Sequence, residues 1–215
     1  MSTRTAVILV LAVTGAALAA SVIFYPSLPE RVPTHFNLHG EPDHWSGKTS
    51  ASLALPGLVA LPLLFMLLGD WLSPDHFKVG AFRPSFNYLM VILAVLFAYM
   101  HAIVLAAALH PERSYARWMI GGIFLFLAWV GNLLGKTRRN FWIGIRTPWA
   151  LASDAVWIGT HRLGGRIFMG VGLLGAAAIA AGVSPVWCLA AFAAALCIPV
   201  FYSFWLSKKL EKQGA

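Results

Sequence analysis

Charge is scarce in this 215-residue chain: Asp, Glu, Lys and Arg together make up 11%, against 59% hydrophobic residues. An ordinary soluble domain carries about 25% charged and roughly 45–50% apolar residues. That shortage excludes a water-solvated surface of normal extent and assigns the chain to the bilayer. Acidic residues are the rarer sign, 8 against 16 basic ones, for a formal charge of +8. Cysteine is nearly absent. Cys188 and Cys197 lie in one apolar run, about 13 Å apart along a helix and on opposite sides of it, which excludes a bond between them within that helix. Neither Cys-x-x-Cys nor His-Glu-x-x-His occurs, so the sequence carries neither of these strong metal signatures. Tandem repeats and low-complexity linkers are also lacking.

What remains is long apolar runs. Six windows, at about 6–24, 51–69, 88–109, 116–134, 166–183 and 186–206, approach the ~20 residues that a hydrocarbon core requires. They predict an all-α integral membrane protein with six transmembrane helices. Pro56, Pro62 and Pro199 fall inside the second and sixth spans, where neighbouring helices must re-satisfy the freed carbonyls. Arg4, an apolar run and the small residues from Gly15 to Ser21 resemble a signal peptide. The run continues through Val22, Ile23 and Phe24, however, and five spans follow, so an uncleaved first helix is expected.

Lys and Arg concentrate in cytoplasmic loops. With the N-terminus inside, the inner side holds Arg4, Lys78, Arg83, Lys136, Arg138, Arg139, Arg146, Arg162, Arg166, Lys208, Lys209 and Lys212, and the outer side only Arg31, Lys48, Arg113 and Arg117. Both termini are predicted cytoplasmic. Attraction of these residues to anionic headgroups explains the net charge without nucleic acid. A long outer loop, 25–50, and a long inner loop, 135–165, carry most of the polar content. The expected organisation is an N-terminal helix pair with the outer loop, 1–72, followed by a four-helix remainder carrying the inner loop, 73–215. Gly172, Ala176 and Ala180 repeat every four residues, a small-residue spacing that lets helices approach closely.

The outer loop contains PTHFNLHGEPDHW, Pro33 to Trp45, with three histidines, Glu41 and Asp43. His35, His39 and Asp43 are a candidate divalent-metal set, since His35 and His39 would share a face if the segment were helical. Pro33, Gly40 and Pro42 argue instead for turns. The alternatives are a compact hydrogen-bonded loop anchored at the interface by Phe36 and Trp45, or a recognition surface for something arriving from outside. Three histidines there would also respond to external pH.

The inner loop contains NFWIGIRTPWALASDAVWIGTHR, Asn140 to Arg162. Pro148 pushes Thr147 towards extended backbone. Ser153 is a candidate N-cap for a short amphipathic helix to about His161. Trp142, Trp149 and Trp157 suit the headgroup zone. Arg146 and Arg162 are candidates to pair with Asp154 or with lipid phosphate. A loop that had only to be positive would not need Gly144, Pro148 and three tryptophans.

The string NFWIGIRTPWALASDAVWIGTHRLGG, with GNLLGK just before it, resembles the signature of the SdpI family of bacterial immunity proteins. LPERVPTHFNLHGEPDHWSGK resembles the small domain of unknown function with a Pro-Thr-His-Phe-Asn core found at the N-terminus of many members. The resemblance implies a multi-pass protein of the bacterial cytoplasmic membrane that protects a producing cell from its own secreted toxic peptide and draws a cytoplasmic repressor to the membrane. It maps an outer motif onto Pro33, Thr34, His35, Phe36, Asn37, Gly40 and Asp43. An inner motif falls on Asn140, Gly144, Arg146, Thr147, Pro148, Trp149, Ser153, Trp157, Thr160, His161 and Arg162. His39 and His44 lie outside it.

Two functions of different class follow. In the first, the protein binds or neutralises a membrane-active peptide, with His35, Asn37, Asp43, Asn140, Arg146, Thr147, Trp149, Trp157, His161 and Arg162 as ligand or partner contacts. In the alternative, it is a metal-dependent membrane hydrolase using His35 with Asp43 or His161 with Asp154. Catalysis is disfavoured because no nucleophile has an evident base and the polar groups sit on opposite sides of the bilayer. His101 is an ionisable group expected deep in the third span. Beyond it and Asn132, little within the spans suits a transporter.

Overall fold

The computed structural model describes residues 1–37, 41–75, 78–140 and 142–213. Six helices long and apolar enough to cross a membrane form the body. They are α1 (Thr3–Phe24), α2 (Lys48–Leu68), α3 (Arg83–Leu109), α4 (Ala116–Leu134), α6 (Asp154–Ala180) and α7 (Pro185–Lys212), with a short α5 (Pro148–Ala152) in the long loop before α6. The inward stripe of α1 is narrow and small: Ala6, Val10, Ala17 and Ser21 are buried, while Ile8, Leu11, Val22 and Ile23 are exposed. That inversion is what lipid permits, since apolar side chains on the outer face cost nothing there.

Helices α1, α2 and α3 pack mutually. Ala6, Val10, Val59, Met66, Phe86, Met90 and Ala94 form their shared core. Pro56 and Pro62 are buried within a continuous α2. A second group forms where α4 packs along α6 and α6 along α7. The α4–α6 crossing is made by glycine. A Cβ on Gly131 would fall 2.4 Å from the Met169 amide nitrogen, and one on Gly172 would fall 2.5 Å from that of Ala128. The small-residue spacing on α6 therefore contributes Gly172 to packing, but its partners on α4 were not anticipated. Helix α6 ends in a turn of the Schellman type: Val183 N–H donates to Ala178 O (2.9 Å) and Gly182 N–H to Ile179 O (3.1 Å), with Gly182 at φ 92° as such caps require.

The expected turns of the outer loop are instead a two-stranded antiparallel hairpin, β1 (Arg31–Phe36) and β2 (Pro42–Gly47). Its register is irregular between Pro33 and Phe36. The hairpin caps one end of the bundle by lowering Val32 onto Val104, Leu105 and Ala108 of α3. At the opposite end, Asp70 accepts from Val79 N–H (2.9 Å) and pairs with Arg83, which fixes the α2–α3 connection. The long loop 135–153 covers that end.

Candidate functional site

The two polar segments occupy opposite ends of one bundle. On the hairpin, strand register places His35 opposite His44, and the His35 Nδ1 lies 2.5 Å from Asp43 Oδ1. Both side chains are well exposed, at 69% and 43%. Asn37 closes the hairpin with three bonds: its N–H donates to Glu41 O (2.9 Å), its Nδ2 to Glu41 Oε2 (3.0 Å), and its Oδ1 accepts from Glu41 N–H (3.0 Å). Of the candidate metal set, His35 and Asp43 are therefore together, and His39 lies outside the described residues. Among the described residues no group of three His, Cys, Asp or Glu is arranged to hold a metal ion.

The other end is built around buried polar residues. Asn140 is fully buried and uses all of its amide. Its Nδ2 donates to Arg138 O (2.8 Å) and Ile143 O (2.9 Å), and its Oδ1 accepts from the N–H groups of Trp142 (2.8 Å) and Ile143 (2.7 Å). This clamp turns the chain so that Gly144, at φ 133°, lies against His161. Backbone groups then fix the imidazole tautomer. Nε2 accepts from Ile145 N–H (2.9 Å), so Nδ1 carries the proton and donates to Trp157 O (2.8 Å). Trp157 stacks on the same ring at 3.9 Å between centroids and donates its Nε1–H to Thr137 O (3.2 Å).

Several expectations are revised here. His161 and Asp154 do not form a pair: both imidazole nitrogens are taken by backbone, and Asp154 is held by Arg139, Nε to Oδ1 2.6 Å. Arg139, read from sequence as mere interfacial charge, also donates to Leu151 O (2.9 Å). Trp157 is wholly buried in the protein, where its indole N–H finds a carbonyl, and so presents no face to headgroups. The expected short helix to His161 is the opening of α6 itself, which runs unbroken to Ala180, with Ser153 as its N-cap as anticipated.

The remaining predicted residues lie on this loop and on α6. Arg146 and Arg162 are exposed. Thr147 caps α5 by accepting from Ala150 N–H (3.2 Å) and donates its hydroxyl to Ser203 Oγ on α7 (2.8 Å). Trp149 packs edge-on against Phe204, centroids 5.0 Å apart. Ser203 went unpredicted, though a lone hydroxyl in an apolar span is a recognisable signal for an interhelical bond. Trp142 reaches across to the first helix group, donating its Nε1–H to Gly69 O (3.0 Å) and Ser73 Oγ (2.7 Å) at the end of α2. Deeper in the bundle, His101 is buried and its Nε2 lies 3.0 Å from Ser21 Oγ, an internal bond between α1 and α3.

The buried clamp coincides with a known sequence family: residues 136–203 match the SdpI/YfhL protein family. That match covers about a third of the chain, which over this segment is similar to the SdpI/YfhL family. Residues 12–60 match a second family, the domain of unknown function DUF1648, which contains the hairpin. The Immunity protein SdpI of Bacillus subtilis (strain 168) is 24% identical over 72% of each chain. No solved structure matches. Within the matched segment, the motif residues divide into buried ones (Asn140, Trp157, Thr160 and His161) and exposed ones (Arg146 and Arg162).

Proposed function

We propose that the protein is a membrane immunity and sensor protein of the bacterial cytoplasmic membrane. The hairpin face binds a membrane-active peptide arriving from outside, and the loop face engages a cytoplasmic repressor. The name of the Bacillus relative supports the immunity role. The observation that carries the two-faced reading is the path of α2. Strand β2 runs directly into it at Lys48, whose N–H is held by Glu30 O (3.0 Å). Its far end supplies the acceptors for Trp142. A peptide that preferred one position of the hairpin would thus bear on the inner loop, as unequal binding to two conformations requires.

On this reading His35, Asn37 and Asp43 are the peptide-facing contacts. Arg146 and Arg162 with the rims of Thr147 and Trp149 form the partner surface. Asn140, Trp157 and His161 act by holding that surface in shape.

The test is protection of peptide-sensitive bacteria expressing the chain, with recovery of the challenging peptide from the medium. Wild type is expected to protect and to leave the peptide uncleaved. Because His35 and Asp43 are exposed, His35→Ala with Asp43→Asn should abolish protection at unchanged thermal stability. Full protection by that double variant would remove the hairpin from the function. Cleaved peptide, together with stoichiometric metal in elemental analysis of the purified protein, would shift the reading to a hydrolase centred on His35 and Asp43.

A further inference from the structure

A groove of about 1010 Å³ runs along α3, α4 and α6 and plays no part in the function proposed above. Val95, Leu125 and Leu173 line it and are exposed, so it lies on the membrane-facing surface of the spans. Glycine keeps it open. At Gly122 the space is filled by the Tyr99 ring, which a Cβ would strike at 2.3 Å, but a Cβ on Gly121 would meet nothing nearer than Ile179 at 3.9 Å. Packing therefore does not demand glycine at position 121, and its absence of a side chain leaves room.

The mouth of the groove differs from its walls. Arg117 stands there, exposed, beside Trp118, which is 66% exposed. Among the described residues no carboxylate pairs with the Arg117 guanidinium, and nearby Glu112 is engaged by Arg113 (3.4 Å) and His110 (3.7 Å). The guanidinium lies over the turn after α6, where a Cβ on Gly182 would be 3.5 Å from it. The Tyr99 hydroxyl is turned away from any ligand, since it donates to Trp118 O (2.8 Å). From Arg117 to Trp129 the groove follows α4 for roughly 18 Å at 1.5 Å per residue, close to the ~15 Å of half a hydrocarbon core. An apolar slot one leaflet deep, with a free cation and an interfacial tryptophan at its mouth, has the form of a lipid.

We propose that this groove is a specific site for an anionic phospholipid, with an acyl chain along Leu125 and Ala176 and the phosphate on Arg117. A guanidinium favours phosphate through charge-assisted, bidentate bonds. A lipid whose headgroup carries its own ammonium would gain less from it.

The experiment is native mass spectrometry of the delipidated full-length protein, titrated separately with phosphatidylglycerol and phosphatidylcholine of identical chains. Wild type should show one retained phosphatidylglycerol per chain, preferred about fivefold, the worth of one basic residue near a membrane surface. Arg117→Gln, a change at an exposed position, should equalise the two lipids without removing them. Gly121→Leu should reduce both adducts, with circular dichroism confirming the helices. Equal retention of both lipids by wild type, a preference that survives Arg117→Gln, or undiminished binding in Gly121→Leu would overturn the site. So would lipid-free dimers, which would mark the groove as a contact between two copies of the chain.

Discussion

At Gly144 the difference between a hydrogen and a methyl decides whether the loop can close. Its φ of 133° disfavours any residue with a Cβ, and that Cβ would sit 2.3 Å from His161 Nε2, where Ile145 N–H must donate. Gly144→Ala is therefore expected to destabilise by roughly 1–3 kcal/mol from backbone strain alone, read as a lowered melting temperature in detergent. Gly170→Ala is the matched control, because a Cβ there meets nothing within 4 Å and a mid-helix alanine gains up to about 1 kcal/mol. Asn140 makes a second prediction at this scale. Asn140→Asp keeps the acceptor for Trp142 and Ile143 N–H but faces the carbonyls of Arg138 and Ile143 with a carboxylate. It should lose at least as much stability as Asn140→Ala, about 1–3 kcal/mol for each buried group left unpaired. A milder effect in Asp than in Ala would mean that the donors do not matter. The identities of these motif residues were legible in the sequence, but their burial was not. A histidine whose two nitrogens are taken by backbone and one that meets a ligand are the same letter, and only the fold around Trp157 and Gly144 separates them.

Among the elements, the long apolar helices were the easiest to anticipate, because length and composition suffice for a span. The hairpin was not, since Pro33 and Pro42 interrupt the alternation that marks a strand and suggest turns alone. The boundary of α6 was missed for a related reason. Its polar opening from Asp154 to His161 breaks the apolar window, although the backbone continues through it once Ser153 has capped the helix. Close packing of α4 on α6 rests on glycines that no periodicity singled out in α4. At Gly131 the atoms that a Cβ would meet include the Met169 nitrogen and the Gly165 carbonyl oxygen, at 2.4 and 2.7 Å, and backbone cannot step aside as a side-chain tip can. Gly131→Leu should therefore drive the two helices apart and abolish the cooperative thermal transition. Gly15→Leu, at a position with nothing within 4 Å, should leave it intact. Equal tolerance at both positions would mean that the α4–α6 crossing is not a close one.

For the whole molecule the decisive quantity is which end faces the cytoplasm, because the proposed peptide and repressor would approach from opposite sides. The distribution of basic residues argues for the loop end. The observed helices put Lys136, Arg138, Arg139 and Arg146 there together with Lys208, Lys209 and Lys212 at the end of α7, and leave Arg31, Lys48, Arg113 and Arg117 at the hairpin end. Orientation follows such an excess within short loops. The assignment can be checked with single cysteines in a background of Cys188→Ala and Cys197→Ala, positions that make no disulfide. A cysteine at Trp45, which is 42% exposed on β2, should react with a membrane-impermeant maleimide in intact cells. One at the exposed Arg146 should react only after the membrane is opened. Labelling is the appropriate measurement because it depends on side of the membrane and not on activity, so it holds even if no peptide is ever found to bind. The reverse pattern would exchange the roles of the two faces: a peptide from outside would then meet Arg146 and Arg162, and the His35–Asp43 pair would face the cell interior. In either orientation α2 and Trp142 join the two ends, so the physical connection survives while the direction of the proposed coupling is what the labelling decides.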